Sequence, residues 1–402
     1  MKLKMRKAKG MLAALKGALS LTGRWTLPNI SLLPDVQDNK DADYEAPIDI
    51  DQSVTVLVKY GVLAVFKDYM IGPSVSTFIY EVPIGTRLGN LLRYQEDIAR
   101  DLGVSAVRII QVPGHVSSIG IEIENQDKYL VPFRDIARDN THSSILSVPL
   151  GEDTMGETHY IDIAKQPHMM VAGQTGSGKS VFLNTTIASM ISRSFPNELQ
   201  LLLIDPKQVE FTQYSSIPHL MRPIACDLEE AYSVVDVAVD EMEKRFSLLR
   251  EYKVKKIDDY NKKVSDNEKL PFVVLIVDEF ADLMMMGTPK ERKAVENKIV
   301  RIAQKARAVG IHLILATQKP LVTVVTSLIK ANMPAQVAFK VQKSIDSKVI
   351  LDETGAENLA GKGDLLFTGI LSSGKSVQLK RVQAPFLSDD DLETIINGGL
   401  NA

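Results

Sequence analysis

Gly173-Gln174-Thr175-Gly176-Ser177-Gly178-Lys179-Ser180 lies between two stretches of different character. Before it, His168-Met169-Met170-Val171-Ala172 is a short apolar run with the length of a buried strand. After it, Val181 to Ser192 (VFLNTTIASMIS) carries apolar residues at helical spacing. A strand, a glycine turn and a helix N-terminus are what a phosphate-binding loop of the form G-x-x-x-x-G-K-S needs. The glycines let successive backbone N–H groups turn inward around phosphate oxygens, and the helix N-terminus adds partial positive charge. Gly173 through Val181 is therefore the expected nucleotide-binding segment, with ATP and Mg²⁺ as cofactors. In it Lys179 reaches the β- and γ-phosphates and Ser180 holds the metal.

The chain supplies its own control. Gly369-Ile370-Leu371-Ser372-Ser373-Gly374-Lys375-Ser376 matches the same pattern letter for letter. Val377 to Val382 then alternates with a period near two, and Asp364 to Phe367 is also strand-like. This predicts a hairpin with a Ser-Ser-Gly turn, where no helix N-terminus faces the loop. The second match is read as a coincidence of letters.

The other half of a phosphate-loop site comes at Phe272-Val273-Val274-Leu275-Ile276-Val277-Asp278-Glu279, a buried strand delivering two acids at its end. In that role Asp278 binds Mg²⁺ through its water shell, and Glu279 orients and deprotonates the attacking water. Ile311 to Ala316 is a further strand ending in Thr317-Gln318, which places the Gln318 amide to sense the γ-phosphate. Strands alternating with helices over 147–402 predict a RecA-like α/β domain with a parallel-rich sheet covered on both faces. Asp227, with Glu230 completing a capping box, starts a long helix whose buried stripe is Leu228, Ala231, Val235, Val239, Met242, Phe246 and Leu249. Thr288-Pro289 opens a basic helix that Gly310 stops.

Composition limits the alternatives. The chain has 402 residues, 45% apolar and 24% charged, enough for two or three soluble domains with a sizeable core. No run approaches a membrane span. Cys226 is the single cysteine, which removes a disulfide framework and suits a reducing cytoplasm. The net charge of −3 requires any polyanion-binding surface to be local. Residues 311–351 carry Lys319, Lys330, Lys340, Lys343 and Lys348 against Asp346 alone, a surface better suited to duplex phosphates than to base stacking.

Upstream, 1–27 is a basic arm, with no acid before Asp35, and 28–52 is an acidic linker. Residues 53–146 form a smaller α+β domain without a catalytic constellation. Its expected strands are 54–66, 75–82, Val107 to Val112 and Ile119 to Glu124, the last two separated by Pro113-Gly114. Its expected helix runs from Thr86 to Leu102.

These residues resemble the FtsK/SpoIIIE-type DNA translocases. The resemblance runs through HMMVAGQTGSGKS (168–180), Ile204-Asp205-Pro206-Lys207, VDEFADLMM (277–285), AQKARAVGIHLILATQ (303–318), LIKANMP (328–334) and IDSKVIL (345–351). The smaller domain is similar to that family's α domain through Gly72-Pro73 and Ala99 to Val107. The resemblance implies a homohexameric ring that moves along double-stranded DNA using ATP, as in chromosome partition or mobile-element transfer. It implies that Arg307 reaches the neighbouring subunit's nucleotide, and that Lys319, Lys330 and Lys348 face the pore. Lys343 is placed with them in the DNA-contacting set. Full-length members carry N-terminal membrane spans and a C-terminal winged helix that this sequence lacks, so a cytoplasmic motor is expected. The alternative function is a coupling ATPase for conjugation or secretion, acting on single-stranded DNA or polypeptide; a scaffold without turnover is disfavoured by Glu279.

Overall fold

The computed structural model describes residues 25–34, 46–112 and 117–400. The basic stretch 1–24, residues 35–45 of the linker and the Pro113-Gly114 separator lie outside the described residues. Among the described residues no helix is long and apolar enough to cross a membrane.

The smaller domain is an antiparallel sheet of β1 (Val65–Ile71), β2 (Val75–Glu81), β3 (Val107–Gln111) and β4 (Ser118–Glu124) in the order β1-β2-β4-β3. Helices α1 (Ile50–Lys59), α2 (Leu88–Leu92) and α3 (Gln95–Leu102) close its core, where Leu57, Phe78, Leu91, Ile98 and Ile121 are buried. Two expectations are corrected here. The β-branched run from Val54 is not the start of a strand but the body of α1. Asp49 caps that helix by accepting the Gln52 N–H at 2.8 Å, and Ser53, Val56 and Leu57 fall on one buried face. Packing of that face overrides the strand preference of its valines and threonine. The helix expected from Thr86 to Leu102 is two helices, because the chain turns at Arg93-Tyr94, where Tyr94 leaves helical geometry at φ −104°.

The larger domain holds a nine-stranded sheet. Its strands are β5 (Ser147–Asp153), β6 (Thr158–Asp162), β7 (His168–Ala172), β8 (Leu199–Ile204), β9 (Phe272–Val277), β10 (Ile311–Thr317), β11 (Ala335–Phe339), β12 (Asp364–Ile370) and β13 (Ser376–Gln383), in the order β6-β5-β13-β12-β11-β7-β10-β9-β8. The run β11-β7-β10-β9-β8 is parallel, and the remainder is antiparallel. The second glycine-lysine-serine match is the turn of the β12–β13 hairpin, as expected, with Gly374 at φ +87°.

The larger domain's helices are α4 (Phe133–Arg138), α5 (Lys179–Ile191), α6 (Leu228–Glu251), α7 (Ile257–Asn261), α8 (Phe280–Met285), α9 (Pro289–Lys305), α10 (Ser327–Lys330), α11 (Ser344–Leu351) and α12 (Asp389–Leu400). The continuous apolar strands reflect burial on both faces. In β7, Met170 and Ala172 point into a core shared with α6 and α9, while Met169 and Val171 point into one shared with α5 and α12. Asp227 caps α6, but the Glu230 carboxylate accepts the Cys226 N–H rather than closing a box on Asp227. Leu228 and Phe246 are half-buried, and the stripe contains instead the buried Arg245, which donates to the Pro271 and Val309 carbonyls and pairs with Glu241. Thr288 and Glu291 do form a capping box at the start of α9.

Phe133, Ala137 and Leu146, within the stretch expected in the smaller domain, pack in the core that holds Met169 and Val171 of β7. Trp25, at the end of the basic arm, and Leu33, in the linker, join the same core, and the Trp25 indole N–H donates to the Ile191 carbonyl. The two domains meet at buried polar contacts. Arg381 of β13 pairs with Asp364 at 2.6 Å and with Glu122 of β4 at 3.2 Å. Ser74 donates to Gln383 at 2.5 Å.

Candidate active site

The parallel strands β7, β9 and β10 end on one edge of the sheet, and their exits build the site. After Ala172 the chain turns through the phosphate loop. The Gly173 N–H donates to the Thr317 carbonyl at 3.2 Å and the Gln174 N–H to the Lys340 carbonyl at 2.9 Å, which fastens the loop to the ends of β10 and β11. Gly178 sits at φ +108°, and a Cβ there would lie 2.5 Å from the Gly363 nitrogen. Only glycine fits both constraints. The Ser177 hydroxyl is buried within the loop without a partner, the state of a cradle whose polar groups await an anion. A cleft of about 370 Å³ opens beside it. Gly176, Lys179, Ser180 and Val181 form its floor, and Leu130, Pro385 and Phe386 supply an apolar wall suited to a planar base.

Lys179 starts α5 and is almost fully buried. Its Nζ lies 2.6 Å from Asp278 Oδ1 and 2.9 Å from the Asp278 carbonyl. The two groups expected on phosphate and metal thus neutralise each other. Ser180 Oγ donates to Glu210 Oε1 at 2.7 Å. Glu279 Oε1 accepts from the Thr317 hydroxyl at 2.6 Å, and its Oε2 accepts from the Gln318 N–H at 3.1 Å and faces Lys207 Nζ at 3.3 Å. The Gln318 side chain accepts from the Thr175 hydroxyl at 3.0 Å, which links β10 to the phosphate loop. The Ser180 hydroxyl and the Asp278 carboxylate at the mouth of the loop are hard oxygen donors, and that chemistry fits Mg²⁺.

Of the expected site residues, Lys179, Ser180, Asp278, Glu279 and Gln318 lie together at these strand ends. Sequence reasoning missed Glu210 and the role of Lys207, both on the loop after β8. Ile204-Asp205-Pro206-Lys207 was a visible signal for that loop, but nothing in the sequence tied Glu210 to Ser180. It also missed Lys362, which lines the cleft from the Gly361-Lys362-Gly363 turn.

Arg307 lies elsewhere. It is exposed after α9, at the edge where the parallel strands begin, and donates to the Lys165 carbonyl at 3.1 Å. Beneath that edge His168 and His312 are buried, and desolvation lowers their pKa values to about 3 and about 4. The four lysines of the expected DNA surface differ. Lys319, Lys343 and Lys348 are exposed. Lys330 is mostly covered, paired with Asp352 at 2.8 Å and donating to the Lys348 carbonyl at 3.2 Å, so it braces α10 against α11.

Comparison with known proteins follows the two domains. Residues 129–322 match the FtsK/SpoIIIE family and residues 27–125 match the FtsK alpha domain. The DNA translocase FtsK of Haemophilus influenzae is 39% identical over 402 aligned residues, covering 92% of this chain and 74% of that protein. The DNA translocase FtsK of Pasteurella multocida is 41% identical over 369 residues, covering 85% of this chain and 39% of that protein. This chain therefore spans much less than the full length of several such relatives. Among solved structures, the pCW3 conjugation coupling protein TcpA, in a monomer form with ATPγS, is similar with a TM-score of 0.60 at 25% identity, covering 86% of this chain and 98% of that one. The cytoplasmic domain of the Thermomonospora curvata type VII secretion ATPase EccC shares the fold with a TM-score of 0.54 at 23% identity, covering 63% of this chain and 30% of that one.

Proposed function

This chain belongs to the FtsK/SpoIIIE family, and we propose that it hydrolyses ATP to move along double-stranded DNA as a homohexameric ring in the cytoplasm. The observation that carries the reading is the placement of Lys179, Asp278, Glu279 and Gln318 on one edge of the sheet and of Arg307 on the other. The first group binds and cleaves a nucleotide; the last serves a neighbour's.

Without nucleotide, the site is held by three internal pairings. A triphosphate seated on the loop N–H groups draws Lys179 away from Asp278, because the phosphates carry more negative charge than one carboxylate. Ser180 and the released Asp278 are the residues that hold Mg²⁺, which when bound neutralises charge on the β- and γ-phosphates. Glu279, fixed by Thr317 and the Gln318 N–H, is oriented to accept a proton from the attacking water. Gln318 touches both the phosphate loop and the Glu279 strand end, so a change at the γ-phosphate position is passed directly to Lys319, the next residue, whose N–H is held by the Thr317 hydroxyl. Lys319, Lys343 and Lys348 then contact the duplex backbone; Lys330 supports them.

The likeness to a conjugation coupling protein across most of this chain supports a second reading as a coupling ATPase, for which we take single-stranded DNA as the cargo. Steady-state ATP hydrolysis with linear duplex, single-stranded DNA or no nucleic acid separates the two. Stimulation by duplex that rises cooperatively with protein concentration is the expected result. Stimulation by single strands alone would favour the second reading, and equal rates in all three would overturn both.

A further inference from the structure

The loop between β8 and α6 brings into the nucleotide cleft a carboxylate that neither the phosphate loop nor the strand-end acids account for. Glu210 Oε1 accepts the Ser180 hydroxyl proton at 2.7 Å, and Glu210 lines the same cleft as Lys179. The loop is built to hold it there. Asp205 is fully buried, and its Oδ2 accepts the backbone N–H groups of Glu210 and Phe211, each at 3.0 Å. Gln208 adopts φ +56°, turning the chain back toward α5, and Phe211 and Tyr214 anchor the segment in the core. A hydroxyl that gives a lone pair to a cation must direct its proton elsewhere, and an ionised carboxylate is a strong acceptor for it.

We propose that Glu210 is a positioning residue of the nucleotide site: it holds the Ser180 proton away from the phosphates, so that the Ser180 oxygen is presented to the Mg²⁺ of Mg-ATP. The inference rests on the ATP–Mg²⁺ reading above. Outer partners of this kind fix the orientation of a ligand atom, and their loss typically weakens metal affinity about 10–100-fold. A latch that merely competes with the cation for Ser180 has the opposite signature, since removing it would tighten metal binding.

The test is equilibrium binding of a fluorescent ATP analogue to the full chain, first in EDTA and then with Mg²⁺ titrated in. Glu210→Gln and Glu210→Ala are expected to bind the Mg²⁺-free nucleotide within about twofold of wild type. The Mg²⁺ concentration giving half of the further gain should rise by about 10-fold or more for the alanine variant and less for glutamine. On a Ser180→Ala background neither change should shift the midpoint further. An unchanged or lowered midpoint would overturn the proposal. So would a parallel loss of Mg²⁺-free and Mg²⁺-loaded binding with a lower Tm in both variants, which would leave Glu210 a purely structural role. If the wild-type chain itself shows no gain with Mg²⁺, the ATP–Mg²⁺ reading fails, and the proposal fails with it.

Discussion

Replacing Lys179 with methionine should destabilise the nucleotide-free protein as well as disarm it. Lys179 and Asp278 are 3% and 1% exposed, and their charged atoms are 2.6 Å apart. Methionine fills a similar volume but leaves the Asp278 carboxylate buried and uncompensated. Removing one partner of a buried pair costs about 3–5 kcal/mol. At about 2–4 °C per kcal/mol for a domain of 150–250 residues, Tm should fall by roughly 6–20 °C. Asp278→Asn should cost less, because Lys179 keeps the Asp278 carbonyl at 2.9 Å. The double variant Lys179→Met with Asp278→Asn removes both charges and should recover most of the loss, a coupling of the kind a double-mutant cycle isolates. The assay is thermal unfolding of all four proteins without nucleotide, since bound ligand would add its own stabilisation. A Lys179→Met protein melting within about 2 °C of wild type, or losses that simply add, would refute the reasoning.

Four further outcomes follow from the geometry. Gly178→Ala forces a Cβ to 2.5 Å from the Gly363 nitrogen at φ +108°, a strain of about 1–3 kcal/mol, so nucleotide affinity should fall by about tenfold in equilibrium binding. Glu279→Gln should bind ATP and assemble on DNA yet hydrolyse at least about 100-fold more slowly in single-turnover assays. Arg307→Ala should leave nucleotide binding to the isolated chain within about twofold and cut DNA-stimulated hydrolysis by about 10³, the scale of a missing arginine finger; mixing with wild type should lower activity more than dilution does. His168, His219 and His312 have folded pKa values of about 3, 4 and 4, below the unfolded 6.5, because burial disfavours the cation. Below pH 6.5 the unfolded chain therefore binds protons the folded chain refuses, so stability is complete above that pH and is lost as pH falls toward 4, by up to about 1.4 kcal/mol per histidine per unit. Melting curves between pH 7.5 and 5 should show it, and His312→Gln should flatten them.

The reading of the sequence succeeded where a local pattern carries its own context. Val171-Ala172 before the glycines and Val181 after them specify strand and helix, and that context separates the true phosphate loop from its imitation at Gly369. Phe272 to Glu279 was legible for the same reason, since an unbroken apolar run ending in acids has few other uses. The reading failed where tertiary contact decides. Val54, Thr55, Val56 and Val58 favour a strand in isolation, yet α1 forms because one of its faces meets the core of the smaller domain. Phe133 and Leu146 carry no sign of which domain they join. The pairing of Glu210 with Ser180 spans thirty residues and depends on how Asp205 folds the intervening loop, which no spacing rule encodes.

The sheet itself argues for assembly. The phosphate loop follows the last residue of β7, while Arg307 precedes the first residue of β10, which runs parallel to β7. β10 is seven residues long, or about 23 Å at about 3.3 Å per residue, so no side-chain movement brings Arg307 to its own chain's nucleotide. The phosphate within reach of Arg307 therefore belongs to another copy in the proposed assembly. Two different surfaces of the chain then meet, the cleft edge of one and the arginine edge of the next. Such a head-to-tail contact closes into a ring when its rotation returns to the start and runs on as a filament when it does not; the ring is the assembly proposed above. On this argument the two ion pairs at the cleft have a use of their own: Lys179 with Asp278 and Glu279 with Lys207 keep an unassembled chain's charges satisfied until nucleotide and neighbour arrive together.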